Sequence, residues 1–589
     1  MNSNFDSSKI IKRRSFLAII LAFLFFLIIS VRLFFLQIIR GDTYKKKSKE
    51  NRISTKITPP SRGDIFDTNG LLVAGTISNY SFVVYKYLNK NYDLEIKQFS
   101  KIIKPVKYEL LKDKLSKYNS YKPFFLLKNI PWNSIVEFEK NKFRFSSIKI
   151  LETKKRYYPH ENFSQIIGYM SESQTSLKDF PKGAFHIEEF YNDTLKGFPG
   201  KTFNEVNAYG KTVRQISLEP SIKGSDLHLT VSSNLQNFCQ DIIPVNKKGS
   251  VVVLNAQDGS ILALNSNPTF NSQDFENRDS EKISSFLNDE NKPLFNRAFS
   301  GFYPPGSVFK PLPALLGLEK GLINEATEFF CKGYSSIGSR NYYCWKKGGH
   351  GKVNLKKGIK ESCDVYFYEL AKLLNIDDLS SLATEMGFNQ KYKIGLSNAK
   401  PGLVPNKKWK RKTYDESWFP GETLITCIGQ GANQVSPLQL ATFYSSIING
   451  GVYPKPRILK NQSVEFLGRK INEKFHKILL NALNSVVNEA GGTANKLFRD
   501  NPNYIKIAGK TGTSQVISIK ESDREDDLYK EKQKEQLEKF KDHSVFVGYG
   551  PVDNPKYIAS VIIENGGSGS SLSAPLAHKI LNFAEKNNV

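Results

Sequence analysis

The stretch Tyr303-Pro304-Pro305-Gly306-Ser307-Val308-Phe309-Lys310-Pro311 decides how this chain is interpreted, because it places a serine three residues before a lysine. On a helix, residues at positions i and i+3 share a face, so the two side chains would lie side by side. A lysine amine whose pKa is lowered by burial or by a nearby cation can accept the serine proton. The Pro-Pro-Gly turn would bring Ser307 to a helix N-terminus, where backbone N–H groups favour negative charge. The stretch therefore predicts Ser307 as a nucleophile and Lys310 as its base.

A serine–lysine spacing is a weak signal by itself, because Ser146 and Lys149 have the same spacing and nothing else recommends them. A second motif follows at Ser362-Cys363-Asp364. A second hydroxyl near the nucleophile can relay a proton to the leaving group. Ser362 is therefore the predicted proton relay, and Asp364 is predicted to lie beside it.

A third motif, Lys510-Thr511-Gly512-Thr513, follows the apolar run of residues 505–508, and its Lys-Thr-Gly occurs once in the chain. The pattern predicts an edge strand whose glycine lets a substrate backbone approach closely. The lysine could hold a substrate carboxylate, and a backbone N–H could supply half of an oxyanion hole. The motif therefore predicts the substrate-binding wall of the site.

The three motifs in this order resemble the signature of penicillin-binding proteins and serine β-lactamases. The family's usual pattern has Asn at the position of Asp364, and the aspartate is tolerated in the penicillin-binding protein 2 type, which serves cell elongation. Further stretches are similar to that branch: Arg62-Gly63-Asp64-Ile65-Phe66-Asp67, Asn296-Arg297-Ala298, Ile428-Gly429-Gln430-Gly431 and Phe546-Val547-Gly548-Tyr549. The resemblance runs from about residue 45 to residue 589.

The resemblance implies a peptidoglycan D,D-transpeptidase and carboxypeptidase that forms an acyl-serine on Ser307, releases D-Ala and transfers the acyl group to an amine of a neighbouring strand. It implies that Lys510 and Thr511 bind the terminal carboxylate of the D-Ala-D-Ala stem peptide. The backbone N–H groups of Ser307 and Thr513 would form the oxyanion hole, and Gly512 would lie against the substrate. A β-lactam would mimic D-Ala-D-Ala and leave a slow acyl-enzyme. The role of Asp364 stays open, since the family's residue there is Asn.

Length and composition predict a globular protein of two or three domains, because 589 residues exceed one ordinary core and 40 % of them are hydrophobic. Strands at 250–254 and 261–264 flank Asp258-Gly259 as a hairpin, and the chain ends with a strand at 559–563 and a helix at about 575–586. The prediction is an α/β (α+β) transpeptidase domain, an antiparallel sheet flanked by helices, preceded by a mostly β or irregular pedestal domain. The predicted segments are a tail 1–14, an anchor 15–36, a pedestal 45–225 and a transpeptidase domain 248–589.

The predicted anchor consists of an uncharged run, residues 15–31, prolonged by the apolar residues 33–36. About 20 mostly apolar residues in a helix can cross a bilayer. The run ends in bulky residues without a small-residue cleavage site, so we expect an uncleaved transmembrane helix. Similar numbers of basic residues lie on both sides of it, so the positive-inside rule does not decide its orientation. The resemblance implies a single-pass protein of the bacterial inner membrane with a cytoplasmic N-terminus and a periplasmic body.

A possible metal site lies between the first two motifs, where Cys331, Cys344, His350 and Cys363 have the spacing C-x12-C-x5-H-x12-C. Three thiolates and one imidazole form a closed tetrahedral set, which suits a structural Zn²⁺. The alternatives are a Cys331–Cys344 disulfide in an oxidising compartment, or unconnected buried cysteines. Some penicillin-binding protein 2 members carry zinc at these positions, with carboxylates replacing some thiols. A metal here would stiffen the loop that holds the second motif.

The net charge of +27 excludes little, since it suits solvated lysines as well as an anionic polymer or lipid surface. We find no nucleic-acid-binding motif and expect no nucleic-acid partner. The competing functions are a division-type transpeptidase, a β-lactamase or β-lactam sensor, and a scaffold that activates a membrane glycosyltransferase of the SEDS type. Long pedestals are unusual in β-lactamases and β-lactam sensors. The Cys/His cluster and Ser362-Cys363-Asp364 favour the elongation-type transpeptidase over the division type. The charged insert 517–543 is predicted to be a solvated segment.

Overall fold

The computed structural model describes residues 5–103, 107–117, 124–171, 181–207, 212–497, 503–515 and 541–589. The predicted charged insert therefore lies outside the described residues, except for its last three positions. The chain divides into two compact units, one formed by Met1–Ser61 with Gly197–Gly224 and the other by Arg62–Lys196 with Ser225–Val589. The predicted pedestal, 45–225, contributes residues to both units.

The α-helices are α1 (Phe5–Phe34), α2 (Gly41–Arg52), α3 (Tyr92–Ile102), α4 (Tyr108–Lys117), α5 (Trp132–Asn141), α6 (Ser164–Ile167), α7 (His186–Phe190), α8 (Asn192–Leu195), α9 (Ser233–Asp241), α10 (Ser272–Asn277), α11 (Ser280–Asn288), α12 (Pro311–Glu319), α13 (Leu355–Lys360), α14 (Asp364–Ala371), α15 (Ile376–Glu385), α16 (Lys407–Tyr414), α17 (Pro420–Cys427), α18 (Pro437–Ile448), α19 (Glu473–Asn488) and α20 (Ser573–Lys586).

The strands are β1 (Ile53–Thr58), β2 (Ile65–Phe66), β3 (Leu72–Val84), β4 (Phe124–Leu127), β5 (Ile148–Tyr157), β6 (Met170–Ser171), β7 (Lys182–Gly183), β8 (Gly200–Val206), β9 (Thr212–Glu219), β10 (Leu227–His228), β11 (Gly249–Asn255), β12 (Ile261–Asn267), β13 (Phe329–Cys331), β14 (Tyr334–Ile337), β15 (Arg340–Tyr343), β16 (Gly351–Val353), β17 (Val452–Pro454), β18 (Phe466–Gly468), β19 (Ala508–Ser514), β20 (His543–Gly550) and β21 (Tyr557–Ile563).

The first unit contains the predicted anchor, which lies within α1 and the π-helical turn that follows it at Phe35–Ile39. Within the described residues, one helical stretch is long and apolar enough to cross a membrane, the 29 residues Ile11–Ile39. The same unit holds a three-stranded antiparallel sheet in the order β1-β8-β9. This pairing joins chain segments about 150 residues apart, a span that local sequence patterns do not reveal.

The second unit is built on a five-stranded antiparallel sheet in the order β12-β11-β21-β20-β19. Strands β11, β20 and β21 are buried at nearly every position, as expected for strands covered on both faces. Helix α18 packs on one face, and α9 and α20 pack together on the other. The predicted hairpin at 250–264 is confirmed as β11 and β12, and the closing helix begins two residues earlier than predicted. Strand β19, which carries the Lys-Thr-Gly motif, is one of the two edge strands, as predicted.

Within the second unit, the described residues of the range 80–150 form a smaller lobe with its own apolar core around Phe82, Phe99 and Phe138. A buried charge cluster joins other segments of the same unit, because Glu188 accepts from Arg62 at 2.6 Å and from Arg156 at 2.7 Å. Both guanidinium groups hold the pKa of the fully buried Glu188 carboxyl below its usual value, against the effect of desolvation. A buried carboxylate needs such paired cations, since an isolated buried charge is strongly unfavourable.

The same lobe explains why the second serine–lysine pair of the sequence is not a nucleophile. Both oxygens of the Glu95 carboxylate accept bonds from the backbone N–H and hydroxyl groups of Ser146 and Ser147, at 2.5–3.0 Å. Burial raises the pKa of Glu95, but these hydrogen bonds outweigh it and lower the pKa to about 2. Ser146 therefore serves as a ligand for a carboxylate.

We expect Glu95→Gln to destabilise the smaller lobe by about 3 kcal/mol at pH 7, because the folded pKa is about 2 and the ordinary value is 4.5. A carboxyl with a lowered folded pKa contributes stability above its unfolded pKa and loses that contribution as the pH falls towards 2. Urea unfolding of the full chain at pH 7 and at pH 3 should show a smaller difference between variant and wild type at the lower pH. Glu139→Gln, which changes an exposed glutamate of α5, is the control. A pH-independent difference would contradict this assignment.

Candidate active site

The predicted nucleophile lies on a 3₁₀ turn, Gly306–Phe309, that continues through Lys310 into α12. The predicted helix entry is therefore one tight turn of 3₁₀ geometry, and Ser307 and Lys310 keep the three-residue spacing. Gly306 has φ of +60° and donates its N–H to the carbonyl of Gly429 at 2.8 Å. Tyr444 Oη donates to the carbonyl of Val308 at 3.2 Å. The turn is thus held by the loop that contains Gly429 and by helix α18, which contains Tyr444.

The amine of Lys310 joins the first two motifs. Lys310 is fully buried, and its Nζ donates to the Ser362 carbonyl at 2.8 Å, to Ser362 Oγ at 3.2 Å and to Asp364 Oδ1 at 2.8 Å. Among the described residues, no hydrogen bond joins this Nζ to the hydroxyl of Ser307. Asp364, whose role the sequence left open, is its counter-ion.

The segment of the second motif is held in an unusual backbone conformation. Ser362 has φ of +57°, a left-handed conformation that costs energy for a residue with a Cβ. Trp345 stabilises it, because its indole N–H lies 3.1 Å from the Ser362 carbonyl, while its backbone N–H donates to Asp364 Oδ2 at 3.0 Å. The carboxylate of Asp364 therefore has one oxygen on Lys310 and the other on Trp345. Strained residues held by their surroundings are typical of functional sites.

The third motif presents Thr511, Gly512 and Thr513 to the same cavity as Ser307. Lys510 itself is fully buried behind them and donates from Nζ to the Thr511 carbonyl at 3.0 Å. Burial and the nearby charge of Lys310 lower the pKa of Lys510 well below its usual value, although Asp364 acts in the opposite direction. Thr511 Oγ1 pairs with Thr493 Oγ1 at 2.7 Å, and both threonines line the cavity. No sequence motif indicated that Thr493 belongs to the site.

The cavity brings the three motifs together. It has a volume of about 1000 Å³ and is lined by residues of all three motifs, among them Ser307, Ser362, Asp364 and Thr513. Gln430, from one of the stretches that resembled the family, donates to the Thr513 carbonyl at 3.0 Å. A serine, a buried lysine, a second hydroxyl and an edge strand together fit acyl transfer from a peptide that binds along β19.

The Cys/His set that the sequence singled out is also brought together. The ligand atoms of Cys331, Cys344, His350 and Cys363 all lie within 4.8 Å of one another, and all four residues are buried. His350 Nδ1 is 3.6 Å from Cys331 Sγ and 3.5 Å from Cys344 Sγ. Tetrahedral zinc bonds of about 2.3 Å to sulfur and about 2.0 Å to nitrogen separate the two atoms by about 3.5 Å. The donor set and its spacing therefore fit Zn²⁺.

Hydrogen bonding within the set favours one thiolate. The thiol of Cys363 donates to Cys344, which lowers the pKa of Cys344, and the same bond raises the pKa of Cys363. All five cysteines of the chain are free and buried, and Cys239 and Cys427 lie outside the set. Burial alone raises the pKa of each of these two thiols.

Comparison with known families agrees with this geometry. The model of the penicillin binding protein transpeptidase domain matches residues 249–582, and that of the penicillin-binding protein dimerisation domain matches residues 57–229. The chain belongs to the penicillin-binding protein transpeptidase family, and the predicted fold class is confirmed.

Individual relatives specify the branch. The chain is 32% identical to the peptidoglycan D,D-transpeptidase MrdA of Haemophilus influenzae, over 97% of this chain and 91% of that protein. A solved complex between penicillin-binding protein 2 and MreC from Helicobacter pylori aligns with a TM-score of 0.80 at 28% identity, covering 91% of this chain and 99% of that one. A structure titled as a peptidoglycan synthase complex that coordinates polymerization and crosslinking aligns with a TM-score of 0.70 at 25% identity, covering 97% of each chain. These similarities place the chain in the penicillin-binding protein 2 branch.

Proposed function

We propose that this chain is a peptidoglycan D,D-transpeptidase of the elongation type, which crosslinks stem peptides through an acyl-enzyme on Ser307. One observation carries the proposal: Ser307 and the edge strand β19 line the same cavity as Ser362 and Asp364, which are both bonded to Lys310. The relative from Haemophilus influenzae bears the same activity in its name.

In the proposed first step, Ser307 Oγ attacks the carbonyl carbon of the penultimate D-Ala, and the bond to the terminal D-Ala breaks. Lys310 Nζ accepts the serine proton and passes a proton through Ser362 Oγ, 3.2 Å away, to the leaving amine. The N–H groups of Ser307 and Thr513 stabilise the oxyanion. In the second step, an acceptor amine attacks the ester and frees Ser307. Hydrolysis of the same ester would be the carboxypeptidase activity that the sequence also predicts.

The substrate carboxylate is expected to contact the cavity-facing hydroxyls of Thr511 and Thr493. Lys510 lies behind Thr511 and acts through it, because its Nζ is fully buried. A bound anion raises the pKa of a neighbouring amine, so carboxylate binding favours protonation of Lys510. This assignment explains why a residue without access to the cavity belongs to the substrate-binding motif.

The experiment that tests the function is labelling of the full chain with a fluorescent penicillin, followed by peptide mapping of the adduct. We expect one persistent adduct on Ser307, and none in Ser307→Ala. Ser146→Ala, which changes the other serine of the same spacing, should label like the wild type. An adduct elsewhere would overturn the assignment of the nucleophile. Rapid loss of the adduct would favour a β-lactamase instead.

The membrane setting of the enzyme follows from its substrate. Stretch Ile11–Ile39 is long and apolar enough to cross a membrane, and cell-wall peptides lie outside the cytoplasm. We expect a single-pass protein of the bacterial inner membrane with a cytoplasmic N-terminus and a periplasmic catalytic domain. Solved relatives are titled as complexes with MreC and as part of a peptidoglycan synthase. We expect a membrane glycosyltransferase of the SEDS type as the partner of this chain.

We also propose that Cys331, Cys344, His350 and Cys363 hold one structural Zn²⁺ per chain. The support is the closed set of four donors with sulfur–nitrogen distances of 3.5 and 3.6 Å. A metal with four protein ligands has no open position for catalysis, so it would supply only rigidity. Its last ligand lies between Ser362 and Asp364, whose side chains bond to Lys310.

Metal analysis of the purified full chain is expected to give about one zinc per chain, and Cys344→Ser should lose it. Chelation should lower the melting temperature of the wild type and leave that of Cys344→Ser unchanged. Cys239→Ser, a buried cysteine outside the set, should keep its zinc. A zinc-free protein with a Cys331–Cys344 crosslink detected by mass spectrometry would contradict the metal site.

A further inference from the structure

A short hairpin forms part of the cavity wall. It consists of β14 and β15, paired from Tyr334↔Tyr343 to Ile337↔Arg340, with a two-residue turn that contains Gly338 at φ of +56°. Arg340 therefore stands next to the turn. Four consecutive residues, 340–343, line the cavity that contains Ser307. The hairpin belongs to none of the three motifs that define the predicted catalytic residues.

The base of the hairpin is anchored, so its position relative to the nucleophile is defined. Gly333 accepts the backbone N–H of Cys344 at 2.8 Å, and Ser335 Oγ donates to Glu369 at 2.6 Å. The rings of Tyr342 and Tyr368 pack edge to face, with centroids 5.8 Å apart. Glu369 and Tyr368 belong to α14, the helix that begins at Asp364. A rigid support is what a specificity determinant requires.

The segment that carries the hairpin is purely cationic. Residues 331–350 contain Lys332, Arg340, Lys346 and Lys347 and no aspartate or glutamate. Of these four cations, Arg340 is the one that lines the cavity. Two acids line the same cavity, Asp542 and Asp364, and the two carboxylate oxygens of Asp364 bind Lys310 and Trp345. Arg340 therefore adds a positive charge to the cavity wall, and it forms no ion pair with either of these acids.

The guanidinium of Arg340 is oriented but has no anionic partner. Its Cζ lies 5.4 Å from the centroid of the Tyr342 ring, and the side chain is exposed. It forms no ion pair with any residue that the structure describes. Stacking on an aromatic face leaves the planar N–H fork of arginine available, and that fork matches the two oxygens of a carboxylate.

The size of the cavity leaves room for more than the reacting dipeptide. Its volume of about 1000 Å³ is at the upper end of the range for ligand pockets, about 300–1,000 Å³. We propose that Arg340 is a specificity-determining residue that binds a side-chain carboxylate on the residue preceding the D-Ala pair of the donor peptide. The inference rests on the proposed function and adds to it the chemical class of a second recognition point.

The test uses the full chain and two synthetic peptides that end in D-Ala-D-Ala and have either Glu or Gln immediately before that pair. Each peptide competes with a fluorescent penicillin for Ser307, and the concentration that halves the labelling rate is measured. For the wild type we expect the Glu peptide to compete at about a tenfold lower concentration than the Gln peptide. In Arg340→Gln that preference should disappear, while the Gln peptide and the uncompeted labelling rate stay unchanged.

Lys332→Gln is the matched control, because Lys332 lies in the same segment and stacks on Tyr334 at 4.3 Å but does not line the cavity. It should keep the tenfold preference. If both peptides compete equally in the wild type, or Arg340→Gln weakens both equally, the role of Arg340 is overturned and the transpeptidase function stands. If neither peptide competes while penicillin labels Ser307, the proposed function and this inference fail together.

Discussion

Replacement of Lys310 by methionine is expected to lower the rate at which penicillin acylates Ser307 by about 10³-fold, the usual size of a general-base contribution. Methionine keeps much of the volume of this fully buried side chain and removes its amine. The amine makes every described hydrogen bond between the first and second motifs, through Ser362 and Asp364. Without it, the serine proton has no acceptor in the site.

The acylation rate should be followed by stopped labelling over a range of penicillin concentrations, so that binding and acylation are separated. Lys410→Met is the control, because Lys410 is also buried and ion-paired, with Glu422, but does not line the cavity. Both variants lose a buried ion pair, and thermal unfolding should show whether each is folded. A folded Lys310→Met variant that is acylated at the wild-type rate would exclude Lys310 as the base.

Gly306→Ala is expected to reduce acylation by about 100-fold. The added Cβ would lie 2.6 Å from the carbonyl oxygen of Thr513, so either β19 or the turn of Ser307 must move. The contact is with backbone, which cannot rotate away as a flexible side chain can. Displacement of a reacting group by about 1 Å costs about this factor. The glycine is therefore required where the nucleophile turn meets the edge strand.

Gly321→Ala provides the matched control, since Gly321 has a similar φ of +67° just beyond the other end of α12, and its Cβ would meet no atom within 4 Å. Both substitutions introduce a left-handed alanine that costs about 1 kcal/mol, but only the first creates a steric conflict. We expect Gly321→Ala to lower the melting temperature slightly and to leave acylation unchanged. Equal acylation by the two variants would show that the contact with Thr513 is unimportant.

Much of the site was predictable because its residue types are unusual in combination and occur in a fixed order. Ser307, Ser362 and the Lys-Thr-Gly motif were identified from the sequence, and the structure places residues of all three on one cavity. Their catalytic roles and the bound zinc stay predictions. The fold class was predictable for a similar reason, because the β11–β12 hairpin and the closing helix have strong local patterns.

The remaining features depend on contacts between residues far apart in the chain. Lys310 forms its ion pair with Asp364, which lies 54 positions away in the chain, and its Nζ forms no hydrogen bond with Ser307. Thr493 reaches Thr511 from a loop after α19 that has no distinguishing composition. Lys510 is fully buried and Thr511 lines the cavity. The sequence of β19 does not show which of its side chains point to the cavity, because polar residues occupy both faces of the strand. Ser146 shows the converse, since its serine–lysine spacing is present without the other two motifs, and the structure uses the serine to bind Glu95.

The segment Ser362-Cys363-Asp364 has a consequence for mutation under antibiotic selection. Its three consecutive side chains belong to two networks: the first and third bond to Lys310, and the second lies in the set with Cys344 and His350. A substitution at any one of them would disturb its neighbours through the shared backbone, which is strained at Ser362. We therefore expect resistance substitutions that keep the enzyme active to arise on the exposed rim of the cavity, and those in this segment to be lethal.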